Sequence, residues 1–103
     1  MKLVYISHPF GGKEENLIEI QAIIENILLN RDDVTPISPV HSFGFLYDFL
    51  SYAKGLGLCL DLLCKCDEMW VYGDYLNSKG CRTEIAFCES CNIPYRIMNE
   101  KGE

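Results

Sequence analysis

The sequence predicts an α/β fold: one domain on an open parallel sheet of about four strands in the order 2-1-3-4, Rossmann/flavodoxin-like, with helices on both faces. Three observations predict it. Short β-rich apolar runs recur at residues 3–6, 34–37, 69–72 and 94–98. Segments with helical apolar spacing separate them, which implies right-handed crossovers and parallel strands. The first run, Leu3-Val4-Tyr5-Ile6, carries no charge, as in a strand buried on both faces.

After the first strand, Ser7-His8-Pro9-Phe10-Gly11-Gly12 is a turn-prone loop. A helix of about 15 residues follows, with Leu17, Ile20, Ile24, Ile27 and Leu28 forming one apolar stripe. Residues 30–33 end it, and 34–37 make the second strand. Residues 38–45 read as a loop with many aromatics. Across residues 51–65, Leu56, Cys59, Leu60 and Leu63 recur at helical spacing, so a helix is expected despite Gly55 and Gly57. Residues 69–72 form the third strand, 80–91 the third long helix, and 94–98 the fourth strand. Residues 99–103 read as a charged, frayed tail. In the order 2-1-3-4, the loops after the first and third strands flank a topological switch point and share one crevice.

A chain of 103 residues is one domain with enough material for a core. Its net charge of −6 argues against a nucleic-acid polymer as partner, because phosphate neutralisation needs a basic stripe. One small phosphorylated ligand needs only a few N–H groups. The opening apolar run is too short for a signal segment, and no stretch approaches the ~20 apolar residues of a membrane span. A cytoplasmic location without membrane contact is therefore expected. The six cysteines, Cys59, Cys64, Cys66, Cys81, Cys88 and Cys91, are expected as reduced thiols. Cys64-x-Cys66 with Cys88-x-x-Cys91 raises zinc, but these residues lie in helical patterns without the turns of a zinc knuckle. Neither a metal nor a cofactor is expected.

The candidate site centres on Ser78-Lys79-Gly80-Cys81-Arg82-Thr83-Glu84, a helix start placed beyond the third strand. A helix N-terminus in such a crevice favours an anion, and a carboxylate there suits a nucleophile or base. At about 100° per residue, Glu84 falls about 60° from the centre of the stripe Cys81, Ile85, Cys88. That boundary position equally suits a solvated glutamate favoured by the helix dipole. Ser78 also reads as an N-cap, Gly80 as turn chemistry, and Arg82 as a surface ion-pair residue or a phosphate contact. Ser7, Gly11 and Gly12 either turn the chain or form a phosphate nest. The aromatics Phe43, Phe45, Tyr47, Phe49 and Tyr52 read as core or subunit interface, or as stacking surface for a base.

Together, Val4-Tyr5-Ile6-Ser7-His8-Pro9-Phe10 resembles the first strand and loop of the nucleoside 2-deoxyribosyltransferase-like superfamily. Cys66-Asp67-Glu68-Met69-Trp70-Val71, Ser78-Lys79-Gly80 and Glu84-Ile85-Ala86 resemble its later blocks. The resemblance spans nearly the whole chain, so residues 1–103 read as one such domain, in the superfamily's branch of short, largely uncharacterised bacterial and phage domains. It implies that Glu84 attacks the anomeric carbon of a nucleoside, that Tyr5 positions it, and that Ser7 and the loop His8, Pro9, Phe10 and Gly11 hold a 5′-phosphate. Ser78 matches a serine typical of members that hydrolyse nucleoside monophosphates, with Gly80 and Arg82 beside it. It also implies a homo-oligomer. The chain departs from the pattern in three ways. Cys59 stands where the enzymes place a base-contacting aspartate, with Asp61 about 200° around the helix. His8 replaces a common glycine, and the chain stops soon after its last strand, where many members add residues to a neighbour's site.

Two functional expectations follow. One is N-glycosidic cleavage or transfer on a nucleotide-type small molecule, with a glutamate nucleophile. The other is a non-catalytic binder that holds or sequesters a nucleotide-derived metabolite or signal. Retained Glu84, Tyr5 and Ser78 favour the first, and Cys59 favours the second. A structural or interaction role is the third class.

Overall fold

A computed structural model of the chain describes residues 1–98. The four strands are β1 (Lys2–Ser7), β2 (Val34–Ile37), β3 (Glu68–Val71) and β4 (Tyr95–Ile97). They form one parallel sheet in the order β2-β1-β3-β4. The helices are α1 (Glu14–Asn30), α2 (Pro39–Phe43), α3 (Tyr52–Leu63) and α4 (Lys79–Cys91), with single 3-10 turns at Gly44–Leu46 and Tyr75–Asn77. The predicted architecture and strand order are those observed.

Side-chain alternation along β1 and β3 sorts the core into two layers. Val4, Ile6, Trp70 and Tyr72 pack against Ile20 and Ile27 of α1 on one face. Tyr5, Met69 and Val71 pack against Leu63 of α3 and Cys88 of α4 on the other. Cys81 and Cys88 are buried and act as small hydrophobes, while Cys64 and Cys91 are exposed. No three His, Cys, Asp or Glu side chains group as metal ligands among the described residues.

Four expectations are corrected. Residues 38–45 are not a loop, because Ser38 accepts a hydrogen bond from the His41 N–H and Pro39 occupies the first helical position, which together start α2. The buried line of α1 runs through Ile20 and Ile27, flanked by Ile23 and Ile24. Leu28 is exposed, since it lies about 100° around the helix from Ile27. The third strand begins one residue early, at Glu68, which pairs with Val4. Phe45 and Phe49 are exposed rather than core, because the turns that follow α2 carry them away from the sheet. The tail 99–103 lies outside the described residues.

The loop after β1 is shaped by two left-handed glycines, Gly11 at φ 60° and Gly12 at φ 72°. They differ in their surroundings. A Cβ on Gly12 would lie 2.8 Å from the Tyr47 ring, whereas one on Gly11 would meet open space. Tyr47 also packs edge-on against Phe10, with ring centroids 5.3 Å apart. The segment after α2 is thereby fastened to the β1 loop.

Gly11→Ala should lower the unfolding free energy by about 1–2 kcal/mol through the left-handed backbone alone. Gly12→Ala should lose more, because Tyr47 must also move. Urea unfolding of both variants checks this, and equal losses would show that Tyr47 does not rest on Gly12.

Candidate functional site

The parallel sheet brings the ends of β1 and β3 side by side, and the Tyr72 N–H donates to the Ser7 carbonyl at 2.9 Å. Beyond β3, Gly73 turns the chain at φ 73° and the 3-10 turn leads to Ser78. The Ser78 hydroxyl accepts from the Cys81 N–H at 3.2 Å, so it caps α4. Glu84 follows in the second turn and is 7% exposed. One carboxylate oxygen accepts from the Tyr5 hydroxyl, and the other accepts from the Ser7 hydroxyl at 2.8 Å. Tyr5 and Ser7 are two residues apart and point to the α4 face of β1.

Glu84 is therefore not the solvated or boundary residue that its helical angle allows. The buried residues of α4 are Cys81, Glu84 and Cys88, and Ile85 is only partly covered. The sheet meets this helix along a line through the glutamate because two strand hydroxyls are there to bind it. Burial raises the Glu84 pKa, against the opposing effect of those two hydrogen bonds. The Tyr5 phenol is held well above its ordinary value, first by burial and then by the Glu84 charge. Burial, and then Glu84, also push the Cys59 thiol up.

Glu84 lies at the wall of a cavity of about 600 Å³. The β1 loop forms one side with His8, Pro9, Phe10 and Gly11, and the start of α4 forms another with Ser78, Gly80 and Cys81. Residues of α2, the turn after it and α3 close the remaining side. Most of the sequence-predicted site thus converges on one space. Three members do not line it: Tyr5 is fully buried beneath Glu84, and Ser7 and Arg82 are also absent from the wall. Ser7 is fully buried behind Glu84, where its hydroxyl is engaged by the carboxylate rather than free for a phosphate. Arg82 is exposed, being on the outer side of the first turn of α4.

The cavity also contains residues that sequence reasoning missed as site members. Lys13 and Lys79 supply cations on its wall, and Lys79 stands over the Tyr52 ring at 5.2 Å from its centroid. Tyr52, Gly55, Leu56 and Cys59 share the cavity-facing stripe of α3 at i, i+3, i+4, i+7; the sequence offered Tyr52 as one possible stacking surface and Cys59 as a site position, but gave Gly55 and Leu56 no such role. Cys59 lies on the cavity wall, whereas Asp61 is exposed and does not line it.

A second groove of about 1020 Å³ lies on the α1 face, lined by His8, Trp70 and Tyr72 among others. His8 is buried, with Nδ1 2.7 Å from the Pro9 carbonyl and Nε2 3.5 Å from Glu19. Among the described residues, His8 Nε2 and the Tyr72 hydroxyl have no hydrogen-bond partner. Burial pushes the Tyr72 pKa to about 12.

The fold and site define an α/β domain with a buried, hydroxyl-bound glutamate at the topological switch point of a parallel sheet. The chain belongs to the family described as a domain of unknown function, DUF7768, whose model matches residues 2–98. No curated protein matches it.

The raised pKa of Glu84 has a stability consequence. Between the unfolded and folded values, folding takes up a proton at this group. The associated stabilisation is complete below the ordinary carboxylate range and is lost as pH rises through the raised value. Glu84→Gln removes that component while keeping a polar group beside both hydroxyls. Urea unfolding at about pH 4 and about pH 8 should show the wild type losing stability relative to Glu84→Gln as pH rises. A constant difference would mean that Glu84 does not change its protonation on folding.

Proposed function

We propose that this domain acts on a nucleotide-type small molecule, cleaving or transferring at the N-glycosidic bond with Glu84 as nucleophile. The observation that carries the reading is the Glu84 carboxylate, held by Tyr5 and Ser7 at the wall of a cavity that also contains a capped helix start and two lysines. The resemblance to the nucleoside 2-deoxyribosyltransferase-like superfamily supports the same assignment for residues 1–103.

The chemistry follows from charge. Retaining glycoside cleavage passes through an oxocarbenium-like transition state. Positive charge developing at the anomeric carbon favours the ionised form of the buried carboxylate, against the burial that disfavours it. Tyr5 and Ser7 fix both oxygens, so the carboxylate is oriented before the sugar arrives. We assign the 5′-phosphate to the start of α4, about one turn from Glu84, where the helix N–H groups and Lys79 favour an anion, with Lys13 also on the cavity wall. Ser78 acts there by capping the helix that presents those groups. His8, Pro9, Phe10 and Gly11 supply the facing wall.

The second reading is a binder that holds or sequesters a nucleotide-derived metabolite or signal without cleaving it. One observation favours it: the position expected to help the base leave is Cys59, whose raised thiol pKa makes it a poor acid. In either case the exposed Phe45 and Phe49 support self-association, since exposed aromatics are enriched at interfaces.

A panel of nucleoside 5′-monophosphates, assayed for released base, tests the reading. Release that Glu84→Gln brings below detection, with the ligand-induced rise in Tm retained, is the expected result. A Tm rise without release from any compound selects the binder. If no nucleotide changes Tm and none releases base, the nucleotide assignment is wrong.

A further inference from the structure

The groove on the α1 face of the sheet has the features of a second ligand site. We propose that it binds a small organic amine, with the ammonium held between His8 and Glu19. Two buried polar atoms point to a ligand there. His8 is 7% exposed and Tyr72 is 4% exposed, and both line the groove. Neither His8 Nε2 nor the Tyr72 hydroxyl has a hydrogen-bond partner among the described residues. Buried groups left unpaired carry a desolvation cost, which a ligand that pairs with them removes.

The polarity of these groups selects the ligand. A carbonyl can only accept, so His8 Nδ1, 2.7 Å from the Pro9 carbonyl, carries the proton. In the neutral ring Nε2 is then an acceptor, and a Glu19 carboxylate oxygen stands 3.5 Å from it. Two acceptors this close favour a donor that reaches both. An ammonium brings three N–H groups and offsets the carboxylate charge, whereas an alcohol brings one donor and a carboxylate none. Gly73 leaves room beside the ring, since a Cβ there would lie 3.1 Å from Nε2. The groove holds two other charged residues. Asp74 accepts from the Asn77 amide, and Arg31 donates to Asp33 from Nε and Nη2 while covering the Trp70 ring. With its cation already paired, the groove suits a cationic ligand. Ile23, Ile27, Trp70 and Met98 line the rest and suit an apolar body. His8, Pro9 and Asn16 border both cavities, but Glu84 and the start of α4 border only the other. The amine site therefore does not rest on the nucleotide reading.

Trp70 is the chain's single tryptophan and lines the groove, so its emission reports on what enters. The probes are butylamine, butanol and butyrate, in slightly alkaline buffer at about 0.15 M salt, which screens general attraction to the acidic chain. Butylamine should change the emission saturably, with butanol and butyrate binding at least about tenfold more weakly. The Glu19 side chain is 60% exposed, so Glu19→Gln keeps the fold. It should weaken butylamine by about tenfold or more. Glu25→Gln makes the same charge change on α1 outside the groove and should alter binding by less than about threefold. Butanol or butyrate matching butylamine, or equal effects of the two variants, overturns the amine assignment. So does a wild-type protein whose Trp70 emission butylamine leaves unchanged, the outcome expected if a protonated His8 pairs with Glu19 and closes the site.

Discussion

The fold is organised around a carboxylate that could not stay buried without its two hydroxyl donors. A glutamate removed from water is costly unless each oxygen finds a partner. Tyr5 and Ser7 provide those partners from adjacent inward positions of one strand. The interaction spans the chain, joining residue 5 to residue 84, and it ties α4 to β1, a strand from which β3 separates it in the sequence. Register, helix placement and site geometry are consequently one constraint. A slip of one residue along β1 would turn both hydroxyls to the α1 face.

That same alternation divides the polar residues at the carboxyl end of the sheet. Tyr5 and Ser7 face α4, while His8 and Tyr72 face α1 in the second groove. The cavity therefore receives backbone and wall contacts from the β1 loop, but its charged centre comes from below. Glu84 faces the cavity on one side and neutral hydroxyls on the other, with no ion pair to it among the described residues. Its raised pKa is the electrostatic expression of that arrangement.

Much of this was legible in the sequence. Alternating strands and helices determined the order 2-1-3-4, because crossover handedness leaves few arrangements. Ser78 as a cap and the shared crevice also followed from local pattern. Glu84 itself was legible as a residue but not as a buried one, since an angle on a helical wheel does not say along which line the sheet approaches. Ser7 was visible as a loop hydroxyl, yet its partner lies 77 positions away and depends on pairing between strands. Residues 38–52 were least legible. Their aromatics suggested a core, but the short helix and turns there follow from capping by Ser38 and from Tyr47 resting on Gly12. That last contact has no periodicity to reveal it. Lys79 and Lys13 were ordinary charges in the sequence and became cavity residues only through the third dimension.

The fastening of Tyr47 onto Gly12 makes the cavity modular. The residues that position the carboxylate belong to β1 and α4, whereas one wall of the cavity comes from the continuous stretch between β2 and the middle of α3. The buried carboxylate and this wall thus come from different parts of the chain, joined where Tyr47 rests on Gly12 and packs against Phe10 and where Lys79 stands over Tyr52. A change of length or aromatic content in that stretch would therefore reshape the cavity while the buried glutamate and its two hydroxyls stayed as they are.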